Sequence, residues 1–132
     1  YDPLDEDIVI CGHTHREHAR RFAGHLVVNM GSTGAALLGD PRPRLLILEK
    51  RNGPWSWELL RVPYEPEHVL ELAQRNGWLG LGGVATTMVH EMLVGRPWSR
   101  SFVSWWNADA STMQPVDAYR AFARSRGVEP LV

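Results

Sequence analysis

Asp7-Ile8-Val9-Ile10-Cys11-Gly12-His13-Thr14-His15-Arg16 is the stretch around which the rest of the chain is organised. A short apolar run stops at a glycine, and two histidines follow with one residue between them. The apolar run reads as a buried strand. Gly12 lets the chain turn and lets backbone approach whatever lies beyond the strand end. In an extended segment residues i and i+2 point to the same side, so His13 and His15 are expected to aim two imidazoles at one place. On a helix the same pair would diverge by about 200°. Paired histidines on a strand-end loop suit borderline divalent metals. The alternative is two solvated loop histidines, and spacing alone leaves both open.

On the N-terminal side, Tyr1 to Glu6 reads as an acidic, proline-containing linker. The chain opens on Tyr1 rather than methionine, and more chain is expected upstream. On the C-terminal side, Gly12 to Gly24 reads as a loop carrying His18 and the cations Arg16, Arg20 and Arg21. It is either a solvated segment or a cationic rim for an anionic substrate, since guanidinium forks suit phosphate oxygens. His25-Leu26-Val27-Val28-Asn29 reads as a second strand, with His25 at its partly buried edge, and Met30-Gly31-Ser32-Thr33-Gly34 as a tight turn. That turn lacks the lysine and spacing of a P-loop.

Leu45-Leu46-Ile47-Leu48-Glu49 reads as a strand covered on both faces. After the turn Arg51-Asn52-Gly53-Pro54, Trp55 to Val62 reads as a fourth strand. Links this short predict an antiparallel run within a layered α/β or β-sandwich architecture. Beyond Pro63 the period changes. Helices are expected over Glu67–Asn76 and Val84–Leu93, along the stripe Trp98, Phe102, Trp105, Trp106, and from Pro115 to a stop at Gly127. The aromatic stripe predicts packing against the protein or a partner chain. His90-Glu91 lacks the second histidine of a zinc-protease helix, because position 94 is valine.

The chain has 132 residues, the size of one ordinary domain, with 14 basic and 15 acidic residues and a formal net charge of −1. That balance argues against a general affinity for nucleic acid or an anionic membrane. No apolar run approaches the ~18 residues of a membrane helix. Cys11 is the one cysteine. It reads as a small buried apolar residue, and a single thiol fits a reducing compartment, so a cytoplasmic location is expected.

Gly12-His13-Thr14-His15 after an apolar strand resembles the last metal-binding motif of the calcineurin-like metallophosphoesterases. Two further landmarks follow in the family's order. Val27-Val28-Asn29-Met30-Gly31-Ser32 is similar to its strand ending Asn-x-Gly-Ser. Arg61-Val62-Pro63-Tyr64-Glu65-Pro66 is similar to its later segment with tyrosine, acid and proline. The resemblance spans roughly residues 5–75. It implies two packed sheets flanked by helices, of which this chain holds the C-terminal part (1–78), followed by a helical tail (79–132) that packs on the core or on a partner. It also implies two divalent metal ions (manganese, zinc, iron, nickel or magnesium), with His13 on one and His15 on the other. Gly12, Thr14, Asn29, Gly31 and Ser32 would shape the site, and Arg16 would bind phosphate.

By the same resemblance the activity is hydrolysis of a phosphodiester or phosphomonoester by a metal-activated hydroxide. The family's other ligand motifs precede this one and are not in the chain. Gly39-Asp40 and Asn107-Ala108-Asp109 come after the histidines and lack the accompanying residues. No catalytic residue is therefore assigned. The chain alone is expected to be inactive, with a missing N-terminal half of the fold as its partner and a possible homo-oligomer contact through the tail. The alternative is a non-catalytic interaction scaffold on the same fold, for which an exposed Trp98/Phe102/Trp105/Trp106 face would speak.

Overall fold

The computed structural model describes residues 5–132; the first four residues of the expected Tyr1–Glu6 linker lie outside them. The architecture is mixed α/β, with small sheets in the N-terminal part and four α-helices in the C-terminal part. The chain divides into two compact units. One holds residues 1–36 and 42–64, the other residues 37–41 and 65–132.

The strand unit contains β1 (Ile8–Cys11), β2 (Glu17–Phe22), β3 (His25–Met30), β4 (Arg44–Glu49) and β5 (Ser56–Arg61). β3 is the middle strand of a sheet ordered β1-β3-β2, and β4 and β5 form a two-stranded antiparallel sheet. Central placement explains why Leu26 and Val28 are fully buried.

Four expectations are corrected here. The segment Gly12–Gly24 is not all loop, because β2 pairs antiparallel with β3 from Glu17↔Met30 to Phe22↔His25. The hairpin closes through Ala23 and Gly24, both at positive φ (50° and 89°), as the twist of a two-residue hairpin requires. The strands are not one antiparallel run either. β2 reverses the chain and β3 reverses it again, so β3 runs parallel to β1, from Ile8↔Leu26 to Cys11↔Asn29.

β4 is not covered on both faces. Leu45 and Ile47 are 46% and 44% exposed while Leu46 and Leu48 are half-buried, the alternation of a strand with one open face. Cys11 is exposed rather than buried, because β1 is an edge strand. Its thiol lies 3.5 Å from the Val28 carbonyl.

In the helical unit, α1 (Pro66–Arg75), α2 (Gly83–Val94) and α4 (Pro115–Ser125) lie where the 3.6-residue period put them. α1 and α4 begin on prolines, with Glu67 or Asp117 in the first turn and Arg75 or Arg124 in the last, which suits the helix dipole. The aromatic stripe forms α3 (Trp98–Trp105) and a following wide turn (Trp106–Ala110).

Phe102, Ala118, Tyr119, Phe122 and Ala123 make one core cluster, with Trp98, Trp105 and Trp106 packed on it, and Ala73, Leu79 and Val89 make a second. Phe102 meets Phe122 edge-to-face, centroids 5.5 Å apart, a favoured aromatic arrangement. α2 ends at Gly95 in the left-handed region (φ 66°). A Cβ there would lie 2.7 Å from the Asp40–Pro41 backbone, so only glycine admits that segment.

His90 and Glu91 are both buried and both engaged. The Glu91 carboxylate accepts from the Ser99 N–H (3.0 Å) and hydroxyl (2.7 Å). It caps α3, whose own N-cap, Pro97, supplies no side-chain bond. Among the described residues no helix is long and apolar enough to cross a membrane.

Candidate metal centre

The loop from Gly12 to Arg16 joins β1 to β2, and Asn29 at the end of β3 holds it. The Asn29 amide donates to the Gly12 carbonyl (2.9 Å) and to the Thr14 hydroxyl (3.0 Å), while its own carbonyl accepts from the Gly31 N–H (3.0 Å). Thr14 Oγ1 also accepts from the Arg16 N–H (3.4 Å). The Asn29 side chain therefore has both amide hydrogens and its oxygen engaged, consistent with its burial.

A second support runs through the turn after β3. Ser32 Oγ accepts from the Ala35 N–H (2.8 Å) and the Gly34 N–H (3.3 Å). The turn so fixed presents the Ala35 carbonyl to His15 Nδ1 at 2.8 Å. A carbonyl can only accept, so Nδ1 carries the proton and Nε2 of the neutral ring keeps its lone pair. A histidine held in this way is oriented for metal ligation through Nε2.

The histidine pair does not lie in an extended segment, so a two-residue period does not set its direction. His13 (φ 69°) and His15 (φ 57°) are both in the left-handed region, so the loop is a turn rather than an extended segment. Such a conformation costs on the order of 1–3 kcal/mol per residue unless its surroundings enforce it. Here the enforcement comes from Asn29 and the Thr14 N–H bond to the Gly12 carbonyl (2.8 Å). His13 and Arg16 are exposed, and neither side chain has a hydrogen-bond partner among the described residues. Gly12, Thr14, Asn29 and Gly31 are thus drawn into one network, and Ser32 and His15 into an adjoining one.

Sequence reasoning missed a third support. Arg44 is 4% exposed, and its Nε donates to Glu17 Oε2 at 2.8 Å. Arg61 pairs with the other oxygen of the same carboxylate, and the Arg44 guanidinium also reaches the Arg42 carbonyl. The Arg44 stem packs against Gly31 (φ 87°), where a Cβ would sit 3.0 Å from Arg44 Cγ. The signal in the sequence was the one acid, Glu17, among Arg16, His18, Arg20 and Arg21.

Two imidazoles are a share of a metal site, which takes three or four protein ligands. Among the described residues no group of three or more His, Cys, Asp or Glu side chains comes together. The loop therefore fits a contribution to a metal centre and not a whole one.

Searches of curated proteins and of solved structures gave no match to the chain. Residues 2–53 match the family model of the calcineurin-like phosphoesterase superfamily domain, a span that includes the His13–His15 loop and its Asn29 and Ser32 supports.

Proposed function

We propose that this chain supplies the last ligand motif of a metal-dependent phosphoesterase, with His13 and His15 contributing to a two-metal centre whose remaining ligands lie in other parts of the fold. The observation that carries this reading is the His15 ring, fixed at Nδ1 by the Ala35 carbonyl so that Nε2 is free to ligate. Bound divalent ions would supply a water of lowered pKa and a clamp for phosphate oxygens. The chain's own part is to hold the imidazoles through Asn29, Thr14 and Ser32, and to offer the exposed Arg16 guanidinium to an anionic substrate.

With this function goes a layered sandwich flanked by helices as the proposed fold. The two small sheets would be parts of its layers, completed by a missing N-terminal half. The exposure of Ile10, Leu45 and Ile47 supports further cover on the strand unit. A cytoplasmic location belongs to the same reading and rests on the single cysteine. The scaffold alternative drew on an exposed aromatic stripe. Trp98, Phe102, Trp105 and Trp106 instead pack into the helical core, which removes that support.

The test is hydrolysis of bis(p-nitrophenyl) phosphate by the full-length protein with added manganese. His13→Ala and His15→Ala should each lower the rate by about 100-fold or more, at least the loss seen on removing a ligand's outer support. Unchanged rates in both variants would overturn the assignment.

A further inference from the structure

We propose that the helical unit binds a small molecule that joins a dianionic phosphoryl group to a flat ring, in a cavity of about 270 Å³ lined by Arg96, Trp98, Ser101, Phe122, Arg126 and Val128. None of these residues belongs to the histidine loop, and the inference does not depend on the function proposed for it.

The floor of the cavity is aromatic. Phe122 is 1% exposed, and Trp98 stands edge-on to it, centroids 5.6 Å apart. Trp98 is in turn stacked on the buried His90 at 3.8 Å. Phe122 offers almost no surface of its own, and the half-buried Trp98 indole is what a flat ring would meet.

The rim is cationic. Arg96 lies in the link between α2 and α3, and Arg126 caps the end of α4. The Arg126 guanidinium carbon lies 5.1 Å from the Phe122 ring centroid, a cation–π placement. Both arginines are exposed, and neither has a carboxylate partner among the described residues. Two exposed guanidiniums on the rim of one cavity give it a positive potential that favours an anion with two negative charges. The guanidinium fork fits phosphoryl oxygens in bidentate fashion. The volume lies below the ~300 Å³ at which pockets for drug-sized ligands begin, which suits a small apolar body such as a single ring.

Phenylphosphonate is the probe, because it cannot be hydrolysed as a phosphate ester. It would be titrated into the full chain in EDTA, with calorimetry and the Trp98 indole N–H resonance as readouts. Saturable binding with Kd below about 1 mM is expected. Arg96→Ala and Arg126→Ala should each weaken it by about 10-fold, and Arg124→Ala, outside the cavity, should leave it unchanged. Ser101→Glu, which places a carboxylate in the cavity, should abolish it. No saturable response, or undiminished binding in the Arg96→Ala/Arg126→Ala double variant, would overturn the site. Benzoate binding as tightly as phenylphosphonate would overturn the dianion.

Discussion

Arg44 and Glu17 tie the two sheets of the strand unit together. Arg44, at the start of β4, is 4% exposed and donates through Nε to Glu17 Oε2, at the start of β2, over 2.8 Å. Arg61 on β5 uses the other carboxylate oxygen. One acid thus serves two guanidiniums, and neutralising it weakens both pairs at once. Glu17→Gln should therefore destabilise the chain by about 2–4 kcal/mol, slightly below the full cost of breaking a buried pair because Glu17 is 23% exposed. Urea unfolding measures this. Glu49→Gln, which breaks the exposed pair with Arg51, should cost under about 1 kcal/mol.

Asn29→Ala removes three hydrogen bonds at once, to Gly12, Thr14 and Gly31. It should destabilise by about 2–3 kcal/mol, since the Gly31 N–H is left without its acceptor in a buried position. In the full-length protein it should also weaken manganese binding by about 10–100-fold, as loss of a ligand's outer support does. Ser32→Ala should act in the same direction on affinity by freeing the Ala35 carbonyl that orients His15. Unaltered affinity in both variants would count against the network's role in holding the ligands.

His90 carries a pH dependence. Burial, with the ring stacked on Trp98, lowers its pKa below the ordinary 6.5. The folded state therefore prefers the neutral ring, and below pH about 6.5 the unfolded chain binds the proton first. The stability contributed by the neutral ring is fully present above pH about 6.5. It falls as the pH drops from there toward the lowered folded-state value. The urea midpoint should decrease between pH 7 and 5 in the wild type, and His90→Phe should flatten that slope. An equal slope in the variant would assign the titration elsewhere.

Phe102→Ala tests the aromatic stripe. Phe102 is fully buried and touches Trp105, Trp106 and Phe122. Its truncation should cost about 3–5 kcal/mol. Val103→Ala, one position along at 39% exposure, should cost under about 1 kcal/mol. Similar costs at the two positions would mean that the stripe is not the core of the helical unit.

The helices were legible because their signals are local. Pro66 and Pro115 mark two starts and Gly95 a stop, but the spacing of Val84, Met88 and Met92 did not mark the packed face of α2: Val84 and Met88 are exposed, and Thr86, Thr87, Val89, His90 and Glu91 are buried. β1 and β3 were legible as apolar runs ending at Gly12 and Gly31. β2 was hidden because Glu17-His18-Ala19-Arg20-Arg21-Phe22 has no apolar alternation and its turn, Ala23-Gly24, is not among the usual hairpin pairs. The parallel pairing of β1 with β3 was hidden because it follows from β2. For the site, the histidines and the Asn-x-Gly-Ser landmark could be quoted from the sequence. That the landmark works as a clamp, with Asn29 on Gly12 and Thr14 and Ser32 holding the turn that positions His15, is a matter of side-chain bonds between positions about twenty residues apart. No local pattern encodes them.

The β1-β3-β2 order also sets a sequence of events in time. The β2–β3 hairpin closes over two residues, and a hairpin forms in about 1–10 μs. β1 joins across a separation of 17 residues at the Asn29–Gly12 bond, a longer and entropically slower closure. The loop bearing His13 and His15 is the covalent bridge between the early hairpin and the late strand. The Asn29 bonds that hold its left-handed turns join β3 to the end of β1, so the ligand geometry is complete only where both strands are paired.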